Sequence, residues 1–236
     1  MPSPQQLTLN VGLRDGFRFR SFFVEAQSKN AETVAILSNF TDSGDSQQVI
    51  LWGQPQSGKT HLLQSCCARL TASQHVISYI PLKHMMHYGV EIFSGLSFSK
   101  LIALDDIDCI IGNKDWEMAL FKLINQCRES AQKLLMSSRN NPRRMDCVLP
   151  DLASRLIWGE TYQLHALSDT DKPKALQARA ELRGFELSDK VIEYLYRRYP
   201  RDIESLMQLL DTLDKESLRE KKVITIPFVR KVLESM

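Results

Sequence analysis

Short apolar runs punctuate the first two thirds of the chain, at residues 48–53 (QVILWG), 76–81 (VISYIP), 100–105 (KLIALD) and 133–137 (KLLMS). Each is of strand length and apolar almost throughout, the pattern of strands buried on both faces. Between the runs the apolar spacing becomes helical, most clearly over Trp116, Ala119, Leu120, Leu123, Ile124 and Cys127, which share one side of a helix. Strands alternating with helices predict a mainly parallel sheet with helices on both faces. Beyond about residue 164 no strand-like run appears, and helix punctuation takes over. Ser168 with Asp171, and Ser188 before Val191, stand where N-caps are expected. Pro200 is placed in the first turn of another helix, and Thr225 opens the last one beside Pro227. Gly184 ends the helix that begins near Ser168. The reading is therefore α/β, a parallel sheet over residues 16–163 followed by a small α-helical domain over 164–236. Residues 1–15, with Pro2, Pro4, Gln5, Gln6 and Gly12, form an extended arm.

Composition narrows the class. With 236 residues, 43% of them hydrophobic and 25% charged, the chain has the make-up of an ordinary globular protein. The net charge is +2, spread evenly: 16 basic and 15 acidic side chains up to residue 164, 14 and 13 after it. No basic half exists to supply the counterion release that drives autonomous DNA binding, so contact with DNA is expected only indirectly. The five cysteines include no C-x-x-C pair, which fits reduced thiols and a cytoplasmic location. The histidines lack metal-ligand spacing, and no apolar run reaches the ~18–20 residues that cross a bilayer.

The chemistry is concentrated in one stretch. Gly53-Gln54-Pro55-Gln56-Ser57-Gly58-Lys59-Thr60 is a complete G-x-x-x-x-G-K-[ST], between a predicted strand and an amphipathic helix that continues through His61. The glycines let the loop turn its N–H groups inward around a phosphate, and the helix adds its positive end. Lys59 is expected on the β/γ-phosphates of ADP or ATP, and the Thr60 hydroxyl on Mg²⁺. A second motif, Leu101-Ile102-Ala103-Leu104-Asp105-Asp106, ends an apolar run in two acids. In phosphate-loop proteins such acids lie at the tip of a neighbouring strand, one binding Mg²⁺ and one orienting the attacking water. Asp105 takes the first role here and Asp106 the second; Asp108 is left unassigned, since it could equally be an exposed turn residue.

With these motifs the sequence resembles the AAA+ ATPases, and within them the DnaA-related family of replication-initiation proteins. The resemblance extends through Asp105-Asp106-Ile107-Asp108, Trp116-Glu117-Met118-Ala119, Leu149-Pro150-Asp151-Leu152-Ala153-Ser154-Arg155-Leu156, Arg183-Gly184-Phe185-Glu186-Leu187 and Ile226-Pro227-Phe228-Val229. It implies that the helical segment is a lid, and that the DNA-binding domain that follows the lid in DnaA is missing. It also implies that Arg155 is an arginine finger acting on a nucleotide held by another subunit, and that Arg201 is the lid arginine that touches the bound nucleotide. Phe19, Phe22, Phe23 and Asn30 match the segment that packs on the base. Gln6, Leu7 and Leu9 resemble the short motif that docks on the DNA polymerase sliding clamp, with Asn10 in place of the usual Phe or Pro. The implied partners are the clamp and DnaA, with self-association left open. The implied function is to stimulate hydrolysis of DnaA-bound ATP and so switch initiation off. One departure stands out. In Met136-Ser137-Ser138-Arg139 the arginine occupies a place where relatives carry an acid, which weakens the expectation of hydrolysis in cis. The alternative is a self-contained, helicase-loader-like ATPase binding single-stranded DNA through Arg139, Arg143 and Arg144.

Overall fold

The computed structural model describes residue 13 and residues 16–26, 28–42 and 46–234. The arm motif Gln6, Leu7 and Leu9 lies outside the described residues. Five parallel strands form one sheet: β1 (Gln48–Trp52), β2 (Ile77–Pro81), β3 (Leu101–Asp105), β4 (Lys133–Ser138) and β5 (Glu160–Gln163), in the order β2-β3-β4-β1-β5. The four apolar runs are all strands. The fifth, ETYQ, is an edge strand with half-exposed side chains, so it carries no apolar run to betray it.

Alternate residues of each strand supply two separate cores, as the period of two dictates. Val49, Leu51, Leu101, Ala103 and Leu135 face α1 (Lys29–Asp42) and α2 (Lys59–Ala72), meeting Leu37, Phe40, Leu62, Leu63, Cys66 and Leu70. Ile50, Ile102, Leu104, Leu134 and Met136 face the other way. They meet α3 (Leu82–Met85), α4 (Lys114–Glu129) and α5 (Pro150–Leu156) through Leu82, Leu120, Leu123, Ile124, Leu152 and Leu156. The helical face read from Trp116 to Cys127 is the buried face of α4. Cys66, Cys67, Cys109, Cys127 and Cys147 are all free thiols.

A third core belongs to the helices α6 (Asp171–Leu182), α7 (Asp189–Arg198), α8 (Ile203–Glu220) and α9 (Ile226–Glu234), packed through Leu176, Val191, Leu195, Leu209, Leu213 and Val229. Gly184 ends α6 as expected. At φ 84° it lets its N–H reach the Glu181 carbonyl and that of Phe185 reach Ala180, the paired bonds of a left-handed helix stop. Pro200 is corrected: it precedes α8, whose cap is Asp202, accepting from the Ser205 N–H at 2.8 Å. No helix among the described residues is long and apolar enough to cross a membrane.

Candidate functional site

The phosphate loop joins β1 to α2. Gln54, Pro55 and Gln56 form its exposed tip, whereas Ser57 and Lys59 are buried. Gln56 and Gly58 both have positive φ, 64° and 92°, the alternation that turns successive N–H groups toward one centre. A Cβ on Gly53 would stand 2.3 Å from the Leu164 carbonyl oxygen, and one on Gly58 would stand 2.4 Å from the Phe22 ring. Only glycine fits either place. Lys59 donates to the carbonyls of Gly53 (2.7 Å) and Gln54 (3.0 Å). Burial lowers the affinity of its amine for a proton, while Asp106, Asp105 and Asp108 act in the opposite sense. Ser57 Oγ is buried with no hydrogen-bond partner among the described residues. An orphaned hydroxyl, inward-turned amides and a lysine form a donor set suited to phosphate oxygens.

The acid pair sits two strands from the loop, not on the neighbouring strand. β4 lies between β1 and β3, and its Ser137 bridges the two. Ser137 Oγ donates to Asp105 Oδ1 and accepts from the Asp106 N–H at 2.8 Å. Tyr79 donates its hydroxyl to the other Asp105 oxygen at 2.9 Å. Asp105 is thereby fixed from both sides, with a lone pair left on each oxygen. Asp106 adopts a left-handed backbone (φ 60°, ψ 53°), a conformation costing about 1–2 kcal/mol in a residue with a side chain. Desolvation, then the Asp105 charge, raises its pKa. Asp108, to which the sequence assigns no role, has a structural one. Its two oxygens take the N–H groups of Arg139 (2.6 Å) and Asn140 (3.2 Å) and clamp the end of β4. Tyr79 and Ser137 could not be assigned from the sequence because a lone hydroxyl in a strand has no local signature.

The other predicted residues are placed as follows. His61 points its ring into the 16–26 segment: it stacks on Phe17 at 4.4 Å, meets Phe22 edge-on at 5.3 Å, and bonds Ser21 Oγ and the Arg18 carbonyl. Desolvation there drops its pKa to about 4. Phe22 covers Gly58, Phe19 packs beneath the Arg69 guanidinium, and Phe23 is half-buried. Asn30 spends both ends of its amide on the His165 main chain, at 2.8 and 3.0 Å, which ties α1 to the link between sheet and lid. Arg201 donates to the Tyr196 carbonyl and lies over the Tyr196 ring. Arg155 stands in the last turn of α5, remote in sequence from the loop. Its Nε donates to Asn125 at 3.0 Å and its guanidinium rests over Phe121 at 5.9 Å. Among the described residues no carboxylate forms an ion pair with it.

A parallel sheet in this order, a phosphate loop after β1, an acid pair two strands away and a helical lid together define an AAA+ nucleotide-binding domain. The family model for the bacterial DnaA ATPase domain matches residues 13–163, and that for the lid domain of Hda matches residues 169–233. The chain belongs to the DnaA-related family of AAA+ proteins. Among solved structures, domain III of DnaA from Thermotoga maritima superposes with a TM-score of 0.73 at 19% identity, covering 95% of this chain and 98% of that one. AMPPCP-bound DnaA from Aquifex aeolicus gives 0.68 at 20% identity, covering 89% and 69%. The RuvB Holliday junction branch migration motor of Thermotoga maritima gives 0.63 at 18%, covering 92% and 73%. At these identities the superpositions establish a shared fold.

Proposed function

We propose that this chain is a nucleotide-holding regulator that lends an arginine to a partner's active site. In this reading ADP or ATP binds in cis, with Gly53 to Thr60 around its phosphates. Mg²⁺ is held by Thr60 and Asp105, whose hydroxyl and carboxylate oxygens are the hard donors it prefers. The metal would neutralise phosphate charge; the chain's own part is to hold Asp105 ready through Tyr79 and Ser137. Arg201 would reach the nucleotide on lid closure. Residues 16–163 would act as the nucleotide-binding domain and 164–236 as the lid, with the arm of residues 1–15 docking on the sliding clamp through Gln6, Leu7 and Leu9. The partner is DnaA, and the outcome is hydrolysis of DnaA-bound ATP and negative control of replication initiation.

The observation that carries this reading is the state of Arg155. Its Nε is held by a neutral amide and its face by an aromatic ring, and no carboxylate pairs with it among the described residues. Such a guanidinium has no carboxylate to surrender before it can meet an incoming phosphate. Arg139 supports the same division of labour. It lies close enough to oppose protonation of Lys59, and it stands where an acid would otherwise help poise water, so hydrolysis in cis is expected to be slow. The test is ATP turnover by DnaA, alone and with this protein plus clamp loaded on DNA. Stimulation that needs every component and disappears in Arg155→Ala supports the reading. Turnover by this protein alone, with salt-sensitive binding of single-stranded oligonucleotides and no effect on DnaA, replaces it with the self-contained motor.

A further inference from the structure

Glu117 lies in the first turn of α4 and is fully buried, and nothing in the nucleotide site accounts for it. Its carboxylate gathers three backbone donors from two loops. Oε1 accepts from Gly112 (2.7 Å) and Val148 (3.1 Å), and Oε2 accepts from Leu149 (2.7 Å). No cation forms an ion pair with it among the described residues. Burying a carboxylate is costly, and amides aimed at both oxygens are what offset the cost. A packing role alone would be met by an apolar side chain of the same volume. The geometry of the three bonds points to orientation instead.

What they orient is α5. Gly112 belongs to the loop that follows the acid pair, and Val148 and Leu149 are the last residues before the helix that carries Arg155. Leu149 is the N-cap of α5 and offers no side-chain cap, and Pro150 follows at the first helical position without an N–H. Glu117 therefore anchors the start of α5 from a neighbouring helix. The far end of α5 is held by the same helix, through the bond from Arg155 Nε to Asn125. The two anchors are eight residues apart on α4, or about 12 Å at 1.5 Å per residue. Bonded at both ends to one helix, α5 is held against sliding and rotation, which fixes the direction in which Arg155 leaves it. We propose that Glu117 is a positioning residue for Arg155, acting through the N-terminus of α5; this rests on the reading of Arg155 as a finger acting in trans.

The test uses the full chain carrying Glu117→Gln, which replaces one acceptor oxygen by a donor and sets it against a backbone N–H. ATP turnover by DnaA, with clamp loaded on DNA, is measured across a titration of the variant. The saturating stimulation is expected to fall at least tenfold. The half-saturating concentration and the affinity for ADP in cis are expected to stay within twofold, because neither surface is touched. A loss of folded protein alone would shift the half-saturating concentration and leave the plateau intact. In an Arg155→Lys background, whose residual stimulation sets the baseline, Glu117→Gln is expected to add no further loss. Should Glu117→Gln fail to fold by circular dichroism, Glu117→Met, which keeps the volume and removes the charge, is read in the same way. A wild-type plateau in a folded Glu117 variant, a loss confined to the half-saturating concentration, or a loss additive with Arg155→Lys overturns the proposal. If Arg155→Ala itself leaves stimulation intact, the finger reading fails first, and that failure is seen without any Glu117 variant.

Discussion

Adding one methyl group to the phosphate loop tests how the loop is held. At Gly58→Ala the backbone remains at φ 92° and ψ 13°, which an alanine tolerates at a cost of about 1–2 kcal/mol. The new Cβ would stand 2.4 Å from Phe22 Cε2 and 3.0 Å from Cζ. Ordinary carbon contact is about 3.5–4.0 Å, so the ring must retreat by roughly 1 Å or the loop must open. Phe22 is itself packed edge-on against His61, and overpacking of this kind costs about 1–3 kcal/mol. The two penalties together come to about 2–5 kcal/mol. In a chain of this size each kcal/mol moves Tm by about 2–4 °C, so a fall of roughly 4–20 °C is expected. Gly95→Ala isolates the first penalty: φ is 77° there, and nothing lies within 4 Å of the added carbon.

The assay is a thermal scan of both variants and the parent, with and without ADP and Mg²⁺. A ligand at 100 times its Kd stabilises by about 2.7 kcal/mol, and one weakened a hundredfold by only about 0.4 kcal/mol. Gly58→Ala is expected to lose both stability and most of the ADP-dependent shift, since opening the loop disperses its inward N–H groups. Gly95→Ala is expected to lose a little stability and keep the whole shift. A Gly58→Ala protein that melts with Gly95→Ala and responds fully to ADP would refute both the contact with Phe22 and the assignment of this loop to the phosphates.

Three further outcomes are expected. Arg155→Ala should leave ADP affinity in cis within twofold of wild type and abolish stimulation of DnaA turnover; an unchanged plateau sinks the finger. His61 has a pKa lowered from 6.5 to about 4, so the unfolded chain takes up a proton that the folded one refuses. Stability is then complete above about pH 6.5 and is lost on acidification toward pH 4, by at most about 1.4 kcal/mol per pH unit. His61→Phe, which keeps the stacking on Phe17, should show a shallower fall in Tm between pH 6.5 and 4.5, and parallel curves would contradict the burial argument. Leu7→Ala combined with Leu9→Ala should remove clamp binding in a pull-down while the melting curve stays in place; retained binding rules out the arm motif.

What was legible in the sequence follows from how local each signal is. The phosphate loop could be read because glycines, lysine and hydroxyl act within eight consecutive residues, and the sheet because strands buried on both faces must be continuously apolar. β5 escaped notice because an edge strand buries only part of each side chain, and its Thr161 and Tyr162 are flanked by polar residues. The relation of Asp105 to the loop was misjudged by one strand, because strand order is set by crossovers that leave no local trace. The helix expected to hold Pro200 in its first turn starts later, at Ile203, because the Asp202 side chain accepts from the Ser205 N–H and caps it there. The partners of Arg155 on α4, Phe121 and Asn125, belong to long-range packing, and no spacing in the chain points from Glu117 to Val148 and Leu149.

The segment ahead of α1 is where these long-range terms converge. Phe22 closes on Gly58, and Phe17, Arg18 and Ser21 enclose His61, one turn into the helix that follows the phosphate loop. A few residues to either side, the Gly16 carbonyl accepts from Arg179 of the lid at 2.9 Å, and Glu25 pairs with Lys174 of the same helix at 2.6 Å. The Lys174 pair is half-exposed and so contributes little. The bond from Arg179 is partly buried, and burial lowers the affinity of that guanidinium for its proton, so a charge-assisted donor is held against a carbonyl in reduced dielectric. Of the two links to the lid, the Gly16 carbonyl therefore contributes more. One short stretch of chain thus touches the phosphate loop through aromatic rings and the lid through a charged donor. A displacement of Gly58 moves Phe22, and Phe22 lies only six residues from Gly16, with the 3-10 turn Phe19–Ser21 between them. Ser21 Oγ donates to the Gly16 carbonyl at 2.7 Å, so that carbonyl is held from within the segment as well as from the lid. The loop and lid are therefore joined by a path of packed and bonded groups that does not pass through the sheet.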